Sequence, residues 1–176
     1  MRNITKVAAL GAVALFAAAT AVPMPAMADE SDFLSRFEAQ WAGGGKVLRR
    51  ANESPWNVTC TMTQDQGRNA IDIGGNCRAA VFVNKQIGAK LTVDPGTGVY
   101  RGTYIGASEG PATLSGKRNG DTLTLTITWA EPINGDDTAT MIISNPGDGT
   151  MRIRVTDKDG AGGPTVTTSD LSFRAG

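Results

Sequence analysis

The chain has 176 residues, with 17 Lys and Arg against 17 Asp and Glu, no histidine and two cysteines. A balanced charge of this kind offers no electrostatic reason to expect nucleic acid or an anionic membrane as partner. The absence of histidine excludes Ser-His-Asp and Cys-His catalysis, His-ligated haem and ordinary zinc hydrolysis.

Arg2 and Lys6 open a basic segment, Val7 to Ala19 is apolar, Pro23 and Pro25 follow, and Ala26-Met27-Ala28 is a small-x-small site. That order predicts a secretory signal peptide over residues 1–28, cleaved after Ala28. The apolar run is too short to span a bilayer of roughly 30 Å. No cysteine stands at the cleavage point to take a lipid, and no later segment is apolar enough for a membrane helix. Residues 29–176 are then one domain, long enough to bury a core, with a periplasmic or secreted destination. Removing Arg2 and Lys6 leaves the mature chain slightly acidic.

Phe33, Leu34, Phe37 and Trp41 recur at helical spacing and predict a short helix, capped by Ser31 and Asp32 and ended by Gly43-Gly44-Gly45. Beyond that the period is two. Trp56, Val58, Cys60 and Met62 share one face, with Asn57, Thr59 and Thr61 on the other. Leu123, Leu125, Ile127 and Trp129 alternate with threonines, and Met151, Ile153 and Val155 alternate with Arg152, Arg154 and Thr156. These are half-buried antiparallel strands. Arg78 to Asn84 fits either a strand or a short helix.

Turn signals recur at Asp94-Pro95-Gly96, Glu109-Gly110-Pro111, Asn119-Gly120-Asp121, Asn134-Gly135-Asp136, Pro146 to Gly149 and Gly160 to Pro164. Their spacing of roughly ten residues predicts an all-β fold: an antiparallel up-and-down barrel of about 8–10 strands. A lipid-facing barrel would need apolar outer faces, whereas here one face of each clear strand carries Thr, Asn or Arg. The apolar faces therefore point inward.

In an exported chain Cys60 and Cys77 are expected to pair. A tight turn at Asp65 to Arg68 would put Cys60 opposite Ile73, leaving Cys77 roughly 13 Å further along. A disulfide needs Cα atoms within about 7 Å. Either the loop is longer, or Gly74-Gly75 bends the chain back; the glycines favour the bend. The bridge is a structural one, since the spacing is not Cys-x-x-Cys.

No catalytic residue, metal or cofactor is expected. The Gly43 to Gly45 tract lacks the Lys-Ser/Thr of a phosphate loop and reads instead as a bend at the start of a strand. Asp72, Glu131, Asp136 and Asp137 are the acids available for a carboxylate pair, but turn carboxylates have conformational uses of their own. Asn134, Asp136 and Asp137 lack a calcium-loop pattern. Lys46, Arg49 and Arg50 read as a solvated strand end. The inner face should collect Tyr100, Tyr104, Trp129, Trp56, Met62, Met141 and Met151. Tyr100 and Tyr104 alternate with Gly102 and Gly106, which marks either room beside two phenols or a curved strand. These side chains either fill the barrel interior or leave room for one small ligand, and in the second case Tyr100, Tyr104, Trp129, Trp56 and Met62 are the candidate lining of a ligand site.

A short helix, then Trp41 and glycines, then consecutive hairpins ending in Val166 to Arg174, resembles the calycin superfamily of lipocalins, avidins, fatty-acid-binding proteins and nitrobindin-like barrels. The resemblance implies a Trp41–Arg174 contact closing the barrel, a cation–π pair, and a non-enzymatic barrel that binds a small, partly apolar ligand or serves the cell envelope. Ala39 stands where calycins carry glycine, and without histidine haem binding is not implied. The plan is also similar to small bacterial inhibitors of secreted metalloproteases. That likeness implies a protein partner in the envelope, with Asp29-Glu30-Ser31 as the inserting segment.

Overall fold

In the computed structural model, residues 27–50, 53–67, 69–80, 83–107 and 110–176 are described. The expected signal segment up to residue 26 and Glu109 of one expected turn lie outside them. One helix, α1 (Met27–Ser35), precedes ten strands: β1 (Gln40–Val47), β2 (Trp56–Gly67), β3 (Ala70–Ala79), β4 (Val83–Asp94), β5 (Val99–Ile105), β6 (Ala112–Asn119), β7 (Thr122–Ile133), β8 (Asp136–Ser144), β9 (Thr150–Lys158) and β10 (Thr165–Ala175). Each strand pairs antiparallel with its sequence neighbour, and β1 pairs with β10 to close the barrel.

The alternation visible in the sequence sets the two surfaces. Leu123, Leu125 and Ile127 of β7 are buried, as are Ala139, Met141 and Ile143 of β8 and Met151 and Val155 of β9. The intervening threonines of β7 are exposed. Among the described residues, Val83 and Ile105 are the exposed large hydrophobics. A barrel facing lipid inverts this pattern. No helix among the described residues is long and apolar enough to cross a membrane.

Hairpin chemistry follows the expected turns. Asn134 (φ 53°) and Gly135 (φ 93°) take the two left-handed positions between β7 and β8, the conformation a two-residue hairpin requires. The ambiguous stretch 78–84 ends β3 at Ala79, turns at Ala80 (φ 53°) and begins β4 at Val83, so none of its described residues is helical.

Three local expectations are corrected. Helix α1 ends at Ser35, so Ser31 and Asp32 lie inside it rather than capping it, and Trp41 belongs to β1. The chain leaves the helix through tight turns in which Arg36, Phe37 and Glu38 donate to the carbonyls three residues back. Trp41 nevertheless shares the core with Phe33, Leu34 and Phe37, because the turn brings the strand back under the helix.

Second, Gly43-Gly44-Gly45 is paired strand on both sides rather than a bend. A Cβ at any of the three would run into a neighbouring backbone carbonyl, that of Ser172, Val58 or Asp170. The glycines let β1 lie close against β2 and β10.

Third, Gly74 and Gly75 do not reverse the chain. Strand β2 continues to Gly67 opposite Ala70, which sets Cys60 directly across from Cys77. The bridge forms between facing residues with Cα atoms 4.1 Å apart.

Candidate functional site

The barrel has two unlike ends. One carries the start of β1 and the turns β2–β3, β4–β5, β6–β7 and β8–β9, and α1 closes it. Phe33, Leu34 and Phe37 are buried, with the Phe33 and Phe37 rings edge to face at 5.2 Å. The Trp41 indole N–H donates to the Phe37 carbonyl at 2.9 Å. Below it Met62 faces Trp41 across the β1–β2 ladder.

Glu30 fixes the helix to the wall. Its carboxylate accepts from the Tyr100 hydroxyl and from Nε and Nη2 of Arg118, at 3.1–3.2 Å for the arginine. The Arg118 guanidinium also lies 5.0 Å from the Phe33 ring centre. Arg36 ties the helix exit to the turns beneath it, pairing with Asp121 and donating to the Asn145 carbonyl, while Asn145 Nδ2 returns a bond to the Arg36 carbonyl. Arg118 shares the inward parity of Ala112, Leu114 and Gly116 on β6. That parity was the available sign that this arginine points in.

The opposite end holds the connections β3–β4, β5–β6, β7–β8 and β9–β10. Tyr104 and Trp129 meet there, ring centres 6.2 Å apart and edge to face. Both are half-buried. Burial raises the Tyr104 phenol above its ordinary pKa. Its hydroxyl lies against Gly106 (φ 138°), where any Cβ would press on it. Beyond Thr128, β7 leaves its ladder with β8 until Ile133, so Trp129 projects from an unpaired stretch.

Asp157, which the sequence did not single out, faces the same end. It is 4% exposed. It accepts from Asn134 Nδ2 at 3.2 Å and from the Lys158 amide at 2.8 Å. Burial, more than any neighbouring charge, lifts its carboxyl above the usual pKa. The indole of Trp129 is near enough to favour the ionised carboxylate, yet its buried N–H closes no hydrogen bond. The signal for Asp157 was parity: it continues the Met151, Ile153, Val155 face.

The five candidate lining residues are therefore divided. Tyr104 and Trp129 touch. Trp56, half-buried at the start of β2, stands at the same end with the Arg49 guanidinium 5.2 Å over its ring. Tyr100 and Met62 belong to the plugged end. Gly102, between the two tyrosines, marks close contact of β5 with β4: a Cβ there would strike the Lys90 carbonyl. Two grooves of about 400 and 460 Å³ lie on the outer wall, along β1–β3 and β2–β5, and neither is lined by these aromatics.

Arg174 pairs with Ala42 on the outward face of β10, while Phe173 and Trp41 point in. The Trp41–Arg174 contact expected from the calycin resemblance is thus turned away by one residue of register, and the arginine over the plug aromatics is Arg118. Of the candidate acids, Asp72 pairs with Lys90 on the outer wall at the plugged end. Glu131, Asp136 and Asp137 lie at the other end, so Asp72 forms no pair with them. Glu30 and Ser31 are in α1 rather than in a free tail.

No family model matches the chain, and no curated protein matches it. Among solved structures it is similar to Rv2717c from M. tuberculosis, with a TM-score of 0.66 and 14% sequence identity, over 82% of this chain and 96% of that one. At that identity the likeness is one of fold, and it extends over nearly the whole of the other chain.

Proposed function

We propose that this chain is a non-enzymatic, calycin-like barrel, exported to the periplasm or beyond the cell, that takes a small, partly apolar ligand at the barrel end opposite α1. The observation that carries this reading is the Tyr104–Trp129 pair at the unplugged end, where the buried Trp129 N–H lies near the Asp157 carboxylate without closing a hydrogen bond to it. Buried donors are ordinarily satisfied, and ligand pockets join aromatic walls to a few unspent polar groups. The disulfide supports an oxidising destination. The rival reading, a protease inhibitor or other protein-binding module acting through residues 29–31, is weakened by Glu30, whose carboxylate is spent inside the barrel on Tyr100 and Arg118.

Native mass spectrometry on the protein isolated gently from its exported compartment tests the proposal. A reproducible extra mass, lost on denaturation and lost in Trp129→Phe, is the expected result. A bare polypeptide, two hydrogens light for the disulfide, would turn the search toward protein partners.

A further inference from the structure

We infer that the Tyr104–Trp129 end selects a ligand bearing an organic cation, a protonated amine or quaternary ammonium, with Asp157 as its counter-charge; this rests on the ligand-binding proposal above. A buried carboxylate is costly unless a cation or a full set of donors meets it. Asp157 is 4% exposed, and among the described residues no Lys or Arg pairs with it. Its donors are Asn134 Nδ2 and the Lys158 amide. The Lys158 ammonium is turned away, donating to the Thr165 hydroxyl at 3.3 Å. The other charge it feels is the like charge of Asp136.

Beside this carboxylate stands the Trp129 indole, the ring type whose face attracts cations best, with Tyr104 packed against it. A buried negative charge next to an aromatic ring is complementary to an alkylammonium group. A neutral ligand would leave the Asp157 charge unmatched, and an anion would be repelled. Asp157 and Trp129 come from β9 and β7, brought together by the break in the β7–β8 ladder at Thr128.

The test titrates the full mature chain with benzylammonium, choline, benzyl alcohol and benzoate near neutral pH, following the indole N–H resonance assigned with Trp129→Phe. Benzylammonium is expected to bind about tenfold or more tighter than benzyl alcohol, and benzoate weakest. Asp157→Asn, shown folded by circular dichroism, should bring benzylammonium down to the level of benzyl alcohol. Should that variant not fold, the wild-type chain gives the same answer: acidification through the carboxylate's titration should weaken benzylammonium and spare benzyl alcohol. Asp136 is the neighbouring acid whose charge bears on Asp157, so Asp136→Asn must keep the effect. Equal or tighter binding of the alcohol or benzoate overturns the inference and leaves the ligand site standing. A preference that survives Asp157→Asn also overturns it. No response from any probe overturns both the inference and the proposal beneath it.

Discussion

The Tyr100 hydroxyl donates to the Glu30 carboxylate across 70 residues of sequence, joining the helix to the far side of the barrel wall. Arg118 completes the arrangement on the same carboxylate, with side chains 12% and 23% exposed for Arg118 and Glu30. The plug is thus held by polar contacts as well as by Phe33, Leu34 and Phe37.

Removing either partner of Glu30 should loosen the plug by different amounts. Tyr100→Phe forfeits one hydrogen bond and is expected to lower stability by about 1–2 kcal/mol. Arg118→Met leaves a half-buried carboxylate without its cation and should cost about 2 kcal/mol or more. Urea unfolding of the two variants checks the order; equal and negligible losses would show that α1 is held by its aromatic residues alone.

Reduction of the Cys60–Cys77 bond should lower stability by about 3 kcal/mol by the loop-entropy model, for its separation of 17 residues. Ligand binding should persist, because the bridge joins β2 to β3 and touches neither Tyr104 nor Trp129. Thermal midpoints with and without reductant measure the first effect. A midpoint that does not move would mean the register is already secured by the β2–β3 ladder.

Gln64 faces inward on β2, and both polar atoms of its side-chain amide are buried without partners. Unsatisfied burial of this kind costs about 1–3 kcal/mol. Gln64→Met keeps the shape and removes the cost, so a gain of about 1 kcal/mol in denaturant unfolding is expected. A loss would show that the amide is satisfied by a bound water.

The Asp157 carboxyl, raised by burial, sets a pH dependence in the ligand-free protein. Because its folded pKa lies above the unfolded one, the folded state holds the proton longer. Its contribution to stability is therefore greatest at acid pH and declines as pH rises through the folded pKa. Asp157→Asn should flatten that decline. Melting temperatures of both proteins across the carboxylate range measure it; parallel curves would assign the decline to another acid.

Much of the barrel was legible. Period-two runs such as Leu123 to Trp129 gave strands and their buried faces, and Asn134-Gly135 gave a hairpin, because both signals are local. The errors concern residues whose local chemistry has two outcomes. Glycine serves a bend or a close strand contact, and at Gly43 to Gly45 and Gly75 the neighbouring backbone decided for contact. Trp41 carries a helical period from Phe37 yet lies on a strand, because the chain turns between them.

The site was legible in part. Parity placed Tyr100, Tyr104 and Trp129 on one inner face. It could not say that Tyr100 and Tyr104, four residues apart on β5, serve opposite ends. Asp157 and Arg118 carry no inward signal in their chemistry, since charged residues ordinarily face water; only the alternation of β9 and β6 turns both inward.

Closure through β1 and β10 also dictates an order of assembly. Every other pairing joins sequence neighbours and can zip hairpin by hairpin as the chain emerges, since short-range pairs incur little loop entropy. Strand β1 must wait at its seam for β10, the last of the ten strands, and meanwhile its three glycines offer little greasy surface to a stray chain. The last-formed seam also leaves the start of β1 and the end of β10 side by side, where the Gly176 amide donates to the Gln40 carbonyl at 2.9 Å. A short linker across that gap would let the ring be cut open at another hairpin, giving a permuted chain in which β1 and β10 become the most local pair.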